Sequence, residues 1–309
     1  MANINKSKSE NLAAMSVILS GILWGMITIF IKNFSAQGID AMQISLIRMA
    51  VAAPIFTLFL LITDKSKLKI SPKDSFLFIG TGIISVVIFN ICYFYTMIHS
   101  QASIAVVLLY TSPVFVMILS AIFYREKITK IKLAALLLTV AGCALVAGVF
   151  GSGYKLSVSV LLIGLCSGLS YALYTIFGRA ALKKYDPMTV TVWTFIFALP
   201  ASIIVGKPLS TAKAVFSSPK MILLSLGIAV VSTILPYFFY TWGLKRMDNG
   251  KASILVAVEP VVGSALGIIV YSEPISVSKA AGILLVLGAV ILLNLPQRQK
   301  IDDNPAKNS

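Results

Sequence analysis

Charged side chains are scarce in this sequence: Asp, Glu, Lys and Arg together make up 12% of its 309 residues. Soluble domains carry about 25% charged residues, because a surface that faces water needs them. Hydrophobic residues reach 58% instead, and the mean hydropathy is +0.93. These values exclude a water-soluble globular protein and predict an integral membrane protein.

Residues typical of metal sites and catalytic centres are also few. The chain has one histidine, and its three cysteines lie inside apolar stretches without the spacing of a disulfide or metal motif. It contains neither the H-E-x-x-H motif of zinc peptidases nor the phosphate-binding loop of ATPases. We therefore expect no enzymatic activity, no metal, no cofactor and no ATP-driven transport by this chain alone.

The net charge of +15 raises the question of a nucleic-acid partner. The basic residues form short clusters between long apolar stretches, however, and no basic face or binding motif accompanies them. This pattern is typical of membrane-protein loops, so we expect no nucleic acid.

Ten apolar segments are long enough to cross a bilayer, whose hydrocarbon core of about 30 Å requires roughly 20 helical residues. They lie at 13–33, 41–63, 75–97, 102–124, 132–150, 157–181, 188–206, 219–244, 251–271 and 278–295. A polar N-terminal stretch, 1–12, precedes them and a polar tail, 296–309, follows. The sequence predicts an all-α, ten-helix integral membrane protein without an extramembrane domain.

Lysine and arginine are distributed unequally between the two sides of these segments. Nineteen of the 26 fall in loops or tails on one side, and cytoplasmic loops carry such an excess. We predict a multi-pass protein of a prokaryotic plasma (inner) membrane with both termini in the cytoplasm.

The chain also matches itself when it is shifted by 147 residues. The matched pairs include Ser20/Ser167, Gly21/Gly168, Pro113/Pro260, Tyr124/Tyr271, Glu126/Glu273 and Lys132/Lys279. The repeats, 13–150 and 157–295, hold five spans each. Because five is odd, the second repeat is inverted relative to the first, and such repeats are typical of alternating-access transporters.

Three stretches extend this pattern to a known family: SGILWG (20–25), SPVFVMILSAIFYREKIT (112–129) and EPVVGSALGIIVYSEPIS (259–276). With them the chain resembles EamA-type members of the drug/metabolite transporter superfamily over about residues 12–296. The resemblance implies two inverted five-helix halves, a central substrate cavity, and export or uptake of small metabolites. It does not indicate which metabolite.

Pro113 and Pro260 occupy equivalent places inside the fourth and ninth spans. Each removes a helical hydrogen bond and frees a carbonyl about one turn earlier, near Leu109 and Val256. Matched interruptions in two repeats point to a binding site near the midplane. The alternative is a simple kink, since proline is frequent in membrane helices.

Glu259 lies about 12 Å from one end of the ninth span, close to the midplane. A carboxyl group there should face a cavity, find a partner or carry a proton. It could bind a cationic amine, exchange a proton with substrate, or serve as a structural carboxyl within the bundle. Its counterpart in the first repeat is Ser112.

Arg48 lies about 10 Å inside the second span. Its guanidinium could pair with Glu259 or with a substrate carboxylate. The alternatives are pairing with a neighbouring helix and extension of the long side chain to the membrane interface.

Aromatic residues at mid-depth complete the predicted cavity, because interfacial anchoring does not account for Trp or Tyr there. Ring faces can hold a cation or stack on a substrate, although ordinary helix packing explains any single one equally well. The predicted substrate-binding set is Trp24, Asn90, Tyr110, Ser112, Tyr171, Tyr174, Tyr237 and Glu259. Of these, Tyr237 lies nearer the end of its span, where interfacial anchoring is the alternative.

The leading hypothesis is a secondary active transporter that exports amino acids or related metabolites. The alternative is proton-coupled transport of organic cations through Glu259, and a different class is a non-transporting membrane receptor or scaffold. One chain holds both repeats, so a monomer is sufficient and a homodimer is compatible with the fold.

Overall fold

The computed structural model describes residues 2–100, 102–148, 157–272 and 276–294, so the predicted tail at 296–309 lies outside the described residues. Ten helical segments within these ranges are long and apolar enough to cross a membrane, as predicted. We number them span 1 to span 10 in chain order: Ser9–Ser35, Ala41–Thr63, Pro72–His99, Ile104–Tyr124, Lys130–Ala147, Val158–Leu182, Pro187–Val205, Pro219–Leu244, Asn249–Tyr271 and Val277–Asn294.

Several spans consist of more than one helical piece. Span 1 is formed by Ala2–Gly25 and Ile27–Ser35, and span 4 by Ala102–Leu109 and Ser112–Tyr124. Span 9 contains Asn249–Leu255, a 3₁₀ turn at Val256–Val258 and Glu259–Tyr271. π-Helical stretches occupy Ile79–Ile88 in span 3 and Val230–Ile234 in span 8. A short helix, Pro208–Val215, connects spans 7 and 8.

The backbone irregularities recur at the 147-residue shift, which supports the two-repeat architecture. The π-helical stretch of span 8 corresponds to part of that in span 3. Spans 4 and 9 are both interrupted just before their matched prolines. Both spans also end at a left-handed residue, Arg125 with φ 54° and Ser272 with φ 52°. Two non-glycine residues in this sparsely populated region, at matched positions, indicate that the repeats share one backbone path.

Helices of one repeat pack against helices of the other, so the two repeats do not form separate bodies. Span 1 packs along span 8, and span 6 packs along span 3. Spans 2 and 7 contact each other, as do spans 5 and 10. An even number of spans leaves both ends of the chain on the same side of the membrane. We call this side, where spans 4, 6 and 8 end, the terminal side.

Large apolar side chains cover the outside of this bundle. Ile62, Ile204 and Leu223 are each more than 70% exposed. Exposure of this kind is unfavourable in water, but in a bilayer the acyl chains cover it. The exposed surface therefore agrees with membrane insertion.

Spans 5 and 10 approach closely because each presents a glycine at the crossing. A Cβ atom added to Gly282 would lie 2.6 Å from the carbonyl oxygen of Gly142, and one added to Gly142 would lie 2.8 Å from the carbonyl oxygen of Gly282. Small residues permit such backbone approach between membrane helices. The contact depends on the absence of a side chain at both positions.

We predict that Gly282→Ala destabilises the folded protein by about 1–3 kcal/mol, the usual cost of overpacking. The measurement is the thermal midpoint of the purified protein in detergent. Gly288→Ala is the matched control, because a Cβ at Gly288 meets nothing within 4 Å. Equal midpoints for the two variants would show that the close crossing is not required.

Candidate functional site

A small cavity lies at the centre of the bundle between spans 1, 3, 6 and 8, so both repeats contribute to it. Its lining residues are Trp24, Ser85, Tyr171, Tyr174, Thr175, Tyr237 and Tyr240. The cavity measures ≈ 20 Å³, about the space that one water molecule needs. In this conformation it is therefore too small for a metabolite.

Aromatic rings form most of the cavity wall. The ring of Trp24 meets that of Tyr237 edge-on, with centroids 5.1 Å apart, and lies 5.6 Å from that of Tyr240. Tyr174 also meets Tyr237 edge-on at 5.1 Å. Edge-to-face packing fixes ring orientation, so span 1 from the first repeat and spans 6 and 8 from the second present a defined aromatic surface.

Glu259 stands at the first residue of the last helix of span 9 and is partly buried. Its carboxylate accepts a hydrogen bond of 3.4 Å from the Tyr171 hydroxyl, and the buried Tyr110 lies close enough to interact with it electrostatically. Because Tyr171 lines the cavity, this hydrogen bond connects the carboxylate to the aromatic wall. The acidic group thus lies beside the cavity, held by the phenol group of Tyr171.

Arg48 pairs with span 8. Its Nε donates to the Thr233 hydroxyl at 2.9 Å, and Nη2 donates to the Ser232 carbonyl at 3.3 Å. Arg48 also lies close enough to Tyr237 of the cavity wall to interact with it electrostatically. The π-helical stretch supplies both acceptors, so the guanidinium is held inside the bundle and does not extend to the interface.

Two opposite charges therefore lie next to the aromatic cavity, although neither Arg48 nor Glu259 is among the residues that line it. Arg48 and Glu259, both within the part of the chain that the structure describes, form no ion pair within 4.0 Å. They nevertheless lie close enough to interact electrostatically. The arrangement offers an acceptor for a positive group and a donor for a negative group.

The remaining predicted residues have different surroundings. Asn90 donates to the Ser45 hydroxyl at 2.8 Å and so connects spans 3 and 2. Ser112 is buried at the start of the second helix of span 4. Neither is among the residues that line the cavity.

The two proline-associated breaks face glycines of the other repeat. A Cβ at Gly21 would lie 2.7 Å from the carbonyl oxygen of Val256, and one at Gly168 would lie 3.3 Å from that of Leu109. These are the carbonyls that Pro260 and Pro113 were expected to free. They take part in close helix contacts between spans 1 and 9 and between spans 6 and 4.

Sequence analysis missed three cavity residues: Tyr240, Thr175 and Ser85. Tyr240 is 3% exposed, although its place near the end of span 8 favours interfacial anchoring. Ser85 could have been found from the repeat, because it corresponds to Ser232 at the 147-residue shift. The same shift pairs Thr175 with Thr28 and Tyr240 with Tyr93, so the repeat offered the same signal for them.

A larger groove on the outside of spans 2, 7 and 8 measures ≈ 300 Å³, but only apolar side chains line it. It faces the region that lipid occupies and offers no polar group that could orient a metabolite. Within the described ranges, His, Cys, Asp and Glu form no group of three that could hold a metal ion.

The model of the EamA-like transporter family matches residues 11–148 and again 158–295. The chain belongs to the EamA-like transporter family. The two matches coincide with the two five-span repeats, so each repeat is one copy of the family domain. Family membership makes the protein a membrane transporter and gives no indication of catalysis.

Relatives of this EamA-like transporter span nearly its whole length. An uncharacterized transporter of Archaeoglobus fulgidus is 26% identical over 282 residues, covering 89% of this chain and 96% of its own. The uncharacterized inner membrane transporter YicL of Salmonella typhimurium is 24% identical over 291 residues, covering 93% and 96%. A solved crystal structure superposes with a TM-score of 0.74 at 15% identity, covering 91% and 95%, and supports the fold.

We predict that Arg48→Lys lowers the stability of this EamA-like transporter although it preserves the charge. An ammonium group cannot reproduce the fork of donors that reaches Thr233 and Ser232 together. Each hydrogen bond to a charged group is worth about 1.5–3 kcal/mol, so loss of one lowers the thermal midpoint in detergent clearly. Thr233→Val removes one acceptor only and should cost less; an unchanged midpoint in Arg48→Lys would contradict this prediction.

Proposed function

We propose that this EamA-like transporter is a secondary carrier for a small zwitterionic metabolite of the amino-acid class, and that it exports this metabolite from the cell. One observation carries the proposal: Glu259 and Arg48 place opposite charges at an aromatic cavity built by both repeats. The excess of basic residues on the terminal side supports a cytoplasmic location for that side.

A zwitterion suits this pair of charges better than an ion of one sign. Its ammonium group would take the carboxylate of Glu259 and the faces of the surrounding rings. Its carboxylate would take donors of Arg48, whose planar fork matches a carboxylate. Because a zwitterion carries one charge of each sign, both protein charges gain a partner, and neither is left uncompensated.

Binding requires the cavity to widen, since ≈ 20 Å³ admits about one water molecule. Spans 1 and 6 occupy equivalent places in the inverted repeats, and each packs against a span of the other repeat. Movement of these helices would expose the same residues first to one side of the membrane and then to the other. This is alternating access around a fixed site.

Proton-coupled transport of an organic cation is the second candidate. The observation that favours it is the hydrogen bond of Glu259 with Tyr171, since a carboxylate beside aromatic rings can hold a quaternary amine. Arg48 opposes this candidate, because its positive charge acts on the same cavity. For this reason we place the zwitterion first.

We predict that amino acids raise the thermal midpoint of the purified protein and that their methyl esters and N-acetyl derivatives do not. Each derivative removes one of the two charges that the site would pair. A ligand present at 100 times its dissociation constant stabilises the folded state by about 2.7 kcal/mol. A shift with quaternary amines and none with amino acids would replace the first candidate by the second.

We predict for transport itself that Glu259→Gln abolishes substrate-stimulated flux in proteoliposomes while the protein still folds. The amide keeps the size of the side chain and can accept the Tyr171 hydrogen bond, but it has no charge and cannot form an ion pair with an ammonium group. Flux is measured with a labelled amino acid at two pH values, with the thermal midpoint as the folding control. Undiminished flux in the variant would exclude a role for the carboxylate, and absence of flux in the parent would exclude the labelled amino acid as the substrate.

A further inference from the structure

Two pairs of hydroxyl groups join spans 6 and 8 next to the cavity. Tyr174 and Thr241 are hydrogen bonded at 2.9 Å, and Thr175 and Tyr240 at 2.7 Å. The span 6 members of these pairs, Tyr174 and Thr175, follow Tyr171 by about one turn toward the terminal side. We call these two pairs the hydroxyl pairs.

All four hydroxyl-bearing residues are buried: Tyr174, Thr175, Tyr240 and Thr241 are at most 6% exposed. The donor in the first pair follows from its neighbours. Thr241 donates its own proton to the Tyr237 carbonyl at 2.6 Å, so the Tyr174 hydroxyl donates to Thr241. Since water has little access, separation of spans 6 and 8 would leave these groups unpaired, which is costly in a membrane.

Further contacts extend this closure toward the terminal side. Arg179 of span 6 donates to the Leu244 carbonyl at the end of span 8. The carboxylate of Glu126, just after span 4, accepts hydrogen bonds from the first two amides of span 9, Asn249 at 2.8 Å and Gly250 at 3.2 Å. Spans 4 and 6 are thus connected to spans 9 and 8 on this side.

The inverted repeat provides an internal comparison for the opposite side. At the 147-residue shift Tyr174/Thr241 correspond to Ile27/Phe94, which have no hydroxyl groups. Thr175/Tyr240 correspond to Thr28/Tyr93, and in the described structure these two are not hydrogen bonded to each other, in contrast to their counterparts. The hydroxyl pairs therefore belong to one side of the membrane only.

We propose that the hydroxyl pairs form the gate of the terminal side. Contact of a molecule in the cavity with Tyr174, Thr175 and Tyr240 then determines whether this gate is open or closed. These three residues also line the cavity, so a molecule that enters it touches the gate directly. The assignment deepens the proposed transport cycle, from which it takes only the existence of two access states. It does not depend on the chemistry of the substrate.

The test measures the separation of spans 6 and 8 without any substrate. Spin labels are attached at Lys183→Cys and Lys245→Cys, two exposed positions just beyond spans 6 and 8, after Cys92, Cys143 and Cys166 are replaced by alanine. Pulsed electron paramagnetic resonance then gives the distance distribution in nanodiscs. Tyr174→Phe and Tyr240→Phe each remove one bond and keep the ring that packs against Tyr237 or Trp24.

We predict that each substitution raises the ratio of long to short distances about fivefold, since a net hydrogen bond contributes about 1 kcal/mol. Both together raise the ratio further than either alone. Tyr93→Phe is the matched control. Tyr93 is the counterpart of Tyr240 in the first repeat, but it is not hydrogen bonded to Thr28, the counterpart of Thr175. It should leave the distribution as in the parent. All variants are compared by thermal midpoint, which confirms that they fold.

An unchanged distribution in the folded double variant would overturn the gate assignment, and so would an equal shift in Tyr93→Phe. Because no substrate is added, failure of the proposed amino-acid specificity leaves this result unaffected. Conversely, a protein that transports amino acids normally but shows no distance change in the double variant would retain the proposed function and lose the gate.

Discussion

A polar group within the hydrocarbon region has to find its partner inside the protein, and the centre of this structure depends on that requirement. Arg48 meets it with the hydroxyl and carbonyl groups of a π-helical stretch in span 8. Glu259 meets it with the phenol group of Tyr171 in span 6. Each charged side chain is therefore held by a helix other than its own. Arg48 connects span 2 to span 8, and Glu259 connects span 9 to span 6.

The inverted duplication has kept the backbone and changed the side chains. π-Helical stretches, proline-associated breaks and left-handed helix ends recur in both repeats. Glu259, in contrast, corresponds to Ser112, and Arg48 corresponds to Phe195. The two charged groups of the proposed site therefore lie at positions where the repeats differ.

The ten spans and their two repeats could be predicted from the sequence, because hydrophobic length and the 147-residue match can be read along the chain without knowing how the helices pack. Depth in the membrane singled out Trp24, Tyr171 and Tyr174, which line the cavity. Tyr237 and Tyr240 also line it, although both lie nearer the end of span 8, and depth alone cannot tell an interfacial anchor from a ring turned into the bundle. The partners of Arg48 could not be foreseen either, since they lie in a π-helical stretch of span 8 that no sequence pattern predicts.

The proposed gate, whose hydroxyl pairs have no equivalents on the other side, would make the two access states unequal in free energy. The empty carrier would then spend most of its time with the terminal side closed. A ligand that arrives from the terminal side binds only the minor state, so its apparent dissociation constant is raised by the inverse of that state's population. A carrier of this kind has different half-saturation concentrations on its two faces, even though both faces lead to the same residues.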